Sequence, residues 1–234
     1  MGEIHDRVTG RALAIDANRL TDLFGDADDL LPLWIAEPYV DLAEPVRQAL
    51  VERARTGWYG YESRPESIIE AFWAWMEDRH GWDGSGLVTS VSPSVGTSIG
   101  VLLEHFTKPK EGVILQPPVF TDFKPLVAAA GRLMVRSPLV LLAGRYEMDF
   151  VGLEEAAAEP TTTAMILCNP HNPVGRLWSE AELRRVAEIC AANDVFVIAD
   201  EIHADLVLPG NRFTPFAQAA GGTGVAWACT CLLY

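Results

Sequence analysis

Residues 195–206 read VFVIADEIHADL. An apolar run from Val195 to Ala199 gives way within six residues to Asp200, Glu201, His203 and Asp205. A surface turn after a strand usually carries Gly, Asn or Pro, and none stands here before Pro209. The stretch reads as a buried strand that delivers titratable groups at its carboxyl end. In open α/β sheets that end is where ligands bind.

The same rhythm extends in both directions. LVTSV (87–91) reads as a strand, followed by a loop and helix in SPSVGTSIGVLLEHF (92–106). GVILQ (112–116) reads as a strand and KPLVAAAG (124–131) as a helix, and RLMVRSP (132–138) and TAMILCN (163–169) are further strands. SEAELRRVAEICAAND (179–194) is a helix before the opening strand, and GVAWACTC (224–231) is the last strand. Short apolar runs alternating with helices of about ten to fifteen residues define βαβ units around a mainly parallel sheet. Upstream, Val46, Ala49, Leu50 and Ala54 share one helical face, with Pro45 in the first turn and Gly57 beyond the end. ESIIEAFWAWMEDRHGW (66–82) is a second amphipathic helix closing near Gly81. The first forty residues show no sustained period. The expected organisation is an arm over 1–44 and one α/β domain over 45–234.

Composition bounds the function. The 234 residues are 49% hydrophobic and 21% charged, which fits a globular chain able to bury a sizeable core. A net charge of −14 argues against non-specific nucleic-acid binding. No run reaches the ~18 apolar residues of a membrane span. The N-terminus MGEIHDRVTG lacks the pattern of a signal peptide, so a cytoplasmic location is expected. Cys168, Cys190, Cys229 and Cys231 lie in apolar surroundings without CxxC spacing and read as buried free thiols.

Three polar clusters follow predicted strands and converge on one edge. SPSVGTSIG (92–100) offers unpaired N–H groups to an anion such as a phosphate, although Ser94 also reads simply as a helix cap. CNPHNPVG (168–175) carries two Asn-Pro pairs, and each proline restricts its predecessor, so the loop holds Asn172 at a fixed angle. Phe120, in QPPVFTDF, is placed either to stack on a flat ring or to enter the core. Asp200, His203 and Asp205 also form a conceivable metal set, but no second His or Cys stands nearby at ligand spacing.

CNPHNPVG followed some twenty-five residues later by ADEIH resembles the fold-type I pyridoxal-phosphate enzymes, the aminotransferase class I/II superfamily. LLPLWIAEPYV (30–40), TGWYGYESRP (56–65) and DEIHADL (200–206) narrow the likeness to the cystathionine β-lyase branch, the MalY/PatB-like C-S lyases. The resemblance implies pyridoxal 5'-phosphate as cofactor, with Asp200 on the ring nitrogen and Asn172 on the ring 3-oxygen. It puts His203 near the same oxygen and Phe120 on the ring face, and it gives the phosphate to the N–H groups of Val95, Gly96 and Thr97. Tyr61 would reach the phosphate of a neighbouring subunit's cofactor, which implies a homodimer. The implied reaction is β-elimination from a sulfur-containing amino acid to thiol, pyruvate and ammonia, with an aminotransferase as the alternative.

Two departures accompany the likeness. Residues 36–40 read AEPYV where the family reads like ADMDF. The family also places its Schiff-base lysine in an SKTF-like stretch soon after the strand that GVAWACT resembles. Lysines stand here only at 108, 110 and 124. The expectation is a C-terminally truncated chain without the small domain and without a catalytic residue of its own. An inactive fragment is therefore a third reading.

Overall fold

The computed structural model describes residues 13–25, 30–31, 33–35, 40–61 and 66–230. Contacts divide the chain into two units, Met1–Ser63 and Arg64–Tyr234.

In the first unit the arm is more regular than its sequence suggests. A 3-10 turn at Leu13–Ile15 precedes helix α1, Ala17–Phe24. Asp16 caps α1 by accepting from the Arg19 N–H at 2.8 Å, and Gly25 ends it at φ 81°. Both signals were present in the sequence, but eight residues are too few to display a period. Trp34 Nε1 donates to the Ala14 carbonyl at 3.0 Å, and Phe24 meets Trp34 edge to face. Helix α2, Glu44–Arg55, begins with Pro45 in its first turn as expected, yet it buries none of its residues. The departure at Ala36–Tyr39 lies outside the described residues.

The second unit opens with helix α3, Glu66–His80, which ends at Gly81 with φ 64°. Helix α4 (Val95–Phe106) leads to strand β1 (Gly112–Leu115), and helix α5 (Phe123–Ala129) leads to β2 (Leu133–Arg136). A hairpin of β3 (Val140–Leu142) and β4 (Arg145–Glu147) follows, then helix α6 (Phe150–Ala158) and strand β5 (Thr162–Cys168). Helix α7 (Glu180–Ala192), strand β6 (Phe196–Asp200), helix α8 (Phe216–Ala219) and strand β7 (Trp227–Thr230) complete it. Five strands form one sheet in the order β2-β1-β5-β6-β7, and every pairing in it is parallel.

Alternation along the strands builds two cores. Ile114, Met165, Leu167, Val197 and Ala199 face α6, α7 and α8. Val113, Leu115, Ile166, Cys168, Phe196 and Ile198 face α4 and α5. The result is a helix–sheet–helix sandwich, and β5 and β6 are buried on both faces. The capping box of α7, in which Ser179 and Glu182 exchange hydrogen bonds, fixes where that helix starts.

Residues 87–91 correct the sequence reading, because among the described residues they belong to no strand. Among the described residues β7 is the edge strand, and Val88 is fully exposed. Strand propensity alone does not make a strand; it needs a neighbour to complete the ladder. The β3–β4 hairpin went unread because its two-residue turn is Ala143–Gly144, with φ of 49° and 80°. Such turns normally announce themselves with Asn or Asp at the first position.

Ile198 sits in a central strand with no exposed surface. Ile198→Ala should cost about 2–5 kcal/mol of folding free energy. Val101→Ala, on the outer face of α4 where Val101 is 62% exposed, should cost less than about 0.5 kcal/mol. Urea denaturation of the two variants against the parent checks both.

Candidate active site

Because all five strands run the same way, all their carboxyl ends open on one edge. There Cys168 pairs with Asp200 in the β5–β6 register, and Asp200 pairs with Thr230 of β7. These three side chains share the sheet face covered by α4. Phe106, at the C-terminus of α4, stacks on Phe196 at the start of β6 with ring centroids 4.1 Å apart. Helix α4 therefore runs antiparallel to β6, and its N-terminus lies towards the Asp200 end.

Ser94 caps that N-terminus, accepting from the Thr97 N–H at 3.1 Å and exchanging a hydrogen bond with the Thr97 hydroxyl. The cap reading is thus realised, and the N–H groups of Val95 and Gly96 remain the first, unpaired donors of the helix. Phe120 lies just before α5 and on the same side of the sheet. It is 39% exposed and meets Phe123 edge to face, so it is not a core residue.

The Asn-Pro loop is tied down at several points. The Asn169 N–H donates to the Asp200 carbonyl at 3.0 Å, and the Asn169 side chain reaches Thr214 and the Trp178 N–H. His171 contacts the Pro118 carbonyl at 3.0 Å, joining the β5 loop to the β1 loop. The Asn172 N–H rests on the Cys168 thiol at 3.4 Å. That thiol in turn donates to the Pro170 carbonyl, and burial beside Asp200 pushes its pKa up to about 12. Cys168 therefore stays a neutral thiol, supporting the loop that carries Asn172.

Asp200 is 4% exposed and has no ion pair among the described residues. Burial raises its pKa to about 6, against the opposing pull of hydrogen bonds from the Ile202 N–H and the Thr230 hydroxyl. Glu201 is more deeply buried, and burial carries its pKa to about 8. Strand alternation turns it to the opposite face, where it accepts from the Phe216 N–H at 2.6 Å. His203 is half-buried, and its Nδ1 is enclosed without a hydrogen-bond partner; burial holds its pKa below the ordinary range.

Asp200, the Asn172 loop, Phe120 and the Val95–Thr97 turn thus gather at one edge and one face of the sheet, and His203 follows close behind Asp200. Tyr61 belongs to the first unit, where it is fully exposed. Asp205, which the sequence grouped with Asp200 and His203, faces Trp75 and His80 instead. No group of three or more metal-ligating side chains is assembled among the described residues. The supporting roles of Cys168 and Glu201 escaped the sequence reading, which had only the apolar context of the cysteine to go on. Cys190 is buried too, and Cys229 partly so.

A parallel sheet between helix layers, with a buried aspartate at the end of one strand and a stiff Asn-Pro loop at the end of the next, defines a family. The aminotransferase class I and II family matches residues 32–231, and the chain belongs to it. It is 40% identical over 197 residues to the cystathionine beta-lyase PatB of Bacillus subtilis (strain 168), spanning 84% of this chain and 51% of that protein. Among solved structures it is similar to the PLP-bound C-S lyase of Staphylococcus hominis, with TM-score 0.81 and 29% identity over 93% of this chain and 54% of that one. It is also similar to cystalysin of Treponema denticola, whose structure contains pyridoxal 5'-phosphate. The TM-score there is 0.80 at 27% identity, covering 89% of this chain and 54% of that chain. The chain spans about half the length of the curated relatives it matches. No helix among the described residues is long and apolar enough to cross a membrane.

The two raised carboxyls set a pH dependence. Each binds its proton more tightly folded than unfolded, so their contribution favours the folded chain at low pH. It is lost as pH rises through about 6 for Asp200 and about 8 for Glu201. For Asp200 the loss is on the order of 3 kcal/mol. Urea midpoints at pH 4.5 and 8.5 should therefore fall further apart in the parent than in Asp200→Asn or Glu201→Gln.

Proposed function

We propose that residues 45–234 form the cofactor-holding large domain of a pyridoxal-phosphate-dependent carbon–sulfur β-lyase. Its substrates would be sulfur-containing amino acids, released as thiol, pyruvate and ammonia. One observation carries the reading: a carboxylate buried at the strand edge with no cation beside it among the described residues. The protonated ring nitrogen of pyridoxal phosphate is a cation of the right kind to complete Asp200. The cofactor, when bound, supplies an electron sink for the charge left by loss of the substrate's Cα proton.

The residues present fit that group. Asp200 would hold the ring nitrogen in its protonated form, which is the state an electron sink needs. Asn172, aimed by the Cys168 thiol and two prolines, would donate to the 3-oxygen. The Nδ1 of His203, buried without a hydrogen-bond partner, would pair with the same oxygen. Phe120, exposed at the start of α5, would cover one ring face. The Val95, Gly96 and Thr97 turn would take the phosphate, where the N–H groups of Val95 and Gly96 and the helix dipole favour an anion, with the Thr97 N–H already answered by Ser94. Tyr61 would reach the phosphate in a neighbouring subunit, and its full exposure supports a homodimeric arrangement. The similarity to lyases, and the DEIH sequence at Asp200–His203, favour elimination over transamination.

The test is titration of the chain with pyridoxal phosphate, followed by absorbance and fluorescence. Saturable binding is expected, weakened in Asp200→Ala. Gly96→Ala isolates the phosphate site, because the added Cβ meets nothing closer than 3.9 Å and leaves the fold undisturbed. It should weaken pyridoxal phosphate but not pyridoxal, and equal effects on both would refute the phosphate assignment.

Lys108 and Lys110 lie before β1, at the amino edge of the sheet, and Lys124 is exposed on α5. None follows β7, where the family's lysine is expected. Borohydride treatment should therefore leave the cofactor unattached to residues 1–234. Pyruvate release from cystathionine by these residues should not exceed that of free cofactor. A specific adduct on one of the three lysines, or release above that background, would overturn this part of the reading.

A further inference from the structure

The segment between β6 and α8 has little regular structure of its own. Residues 201–215 form turns, with the Ala204 N–H donating to Glu201 and the Leu206 N–H to His203. His203 stands within it, at the carboxyl edge of the sheet. What fixes the segment comes from far away in sequence. Asp205 accepts a hydrogen bond from Trp75 Nε1 at 3.0 Å through one oxygen. Its other oxygen faces His80 Nε2 at 3.0 Å. Both partners lie on α3, more than 120 residues earlier.

The end of α3 grips the same segment at further points. The His80 ring meets Phe213 edge to face at 5.1 Å. The His80 carbonyl accepts from Arg212, and the Gly81 carbonyl accepts from the Gln218 side chain at 2.8 Å. Of these contacts only the Asp205 pair lies within two residues of His203. His80 is 6% exposed, so its bond to Asp205 is shielded from competing water.

We infer that Asp205, clasped by Trp75 and His80, is a positioning residue that fixes the His203 imidazole at the cofactor crevice. Two residues before His203, Glu201 is itself pinned to the Phe216 N–H. The backbone at His203 thus runs between two anchored residues, and the imidazole's Nδ1 is buried without a hydrogen-bond partner. Asp205 acts only through His203 and touches no reacting atom. The inference rests on the pyridoxal-phosphate reading for what His203 meets, but not for how His203 is held.

The experiment follows His203 by NMR in histidine-labelled chain, alongside cofactor titration. In the parent its imidazole should titrate below the free value, because it is buried. Asp200, Glu201 and Asp205 are its titratable neighbours along the chain and His80 faces Asp205; all but Asp205 are kept in the conservative variant. Asp205→Ala should move the His203 midpoint up towards the ordinary value near ~6.5. It should also weaken pyridoxal phosphate about tenfold, the scale on which outer-shell partners act. Asp205→Asn, which can still accept from Trp75 and meet His80, should restore both. A folded Asp205→Ala chain with an unmoved midpoint and unchanged affinity would overturn the inference. If that variant unfolds, Trp75→Phe decides instead: Trp75 is 43% exposed, and the change removes the N–H donor to Asp205 while keeping an aromatic ring beside Arg79. A shift of the His203 midpoint there supports the clasp, and no shift refutes it. If the parent binds no pyridoxal phosphate, the functional reading fails while the His203 midpoint still decides the clasp.

Discussion

The pairing of β5 with β6, in the register that sets Cys168 beside Asp200, is the constraint on which the site depends. Parallel strands project alternate residues to opposite faces, so this register fixes more than a contact. It sends Asp200 towards α4, with Cys168 and Thr230 as neighbours, and it sends Glu201 towards α8. A slip of one residue would exchange the two carboxyls and turn Phe196 and Ile198 into the wrong core. The apolar layers on both faces hold the register, and the chemistry at the strand ends inherits it.

Much of this was legible beforehand. Strands buried on both faces read as unbroken apolar runs, which is why TAMILC and VFVIAD were evident and why Asp200 stood out at the end of one. The elements that went wrong share a physical cause, since each depends on partners that local sequence does not contain. Leu87–Val91 has the composition of a strand but belongs to no sheet among the described residues. The Val140–Glu147 hairpin has a ladder but an unusual turn. Asp205 looked like a companion of Asp200 because the two are close in sequence, whereas its carboxylate is taken up by α3. The family likeness supplied roles for Asn172, His203 and Phe120 that their positions alone leave open.

Asp200 and Glu201 show how one strand end can separate two tasks. Both are buried, and burial alone would favour their neutral forms. Glu201 is closed within the fold, since the Phe216 N–H answers its carboxyl and ties α8 to the sheet. Asp200 receives only the Ile202 N–H and a hydroxyl, neither of which carries charge. Its ionised form therefore costs stability that nothing in the described chain returns.

That imbalance has a direction on the proposed reading. A ligand presenting a protonated nitrogen would stabilise the ionised carboxylate, and binding to the folded state alone raises folding stability in proportion. The same pairing would hold the ring nitrogen protonated when the reaction needs it. The carboxylate that weakens the ligand-free chain is thus the one whose charge a cationic ring would complete. Glu201, one residue further on, takes the other course: burial outweighs the Phe216 N–H and carries its pKa to about 8, so it stays protonated inside the fold at neutral pH.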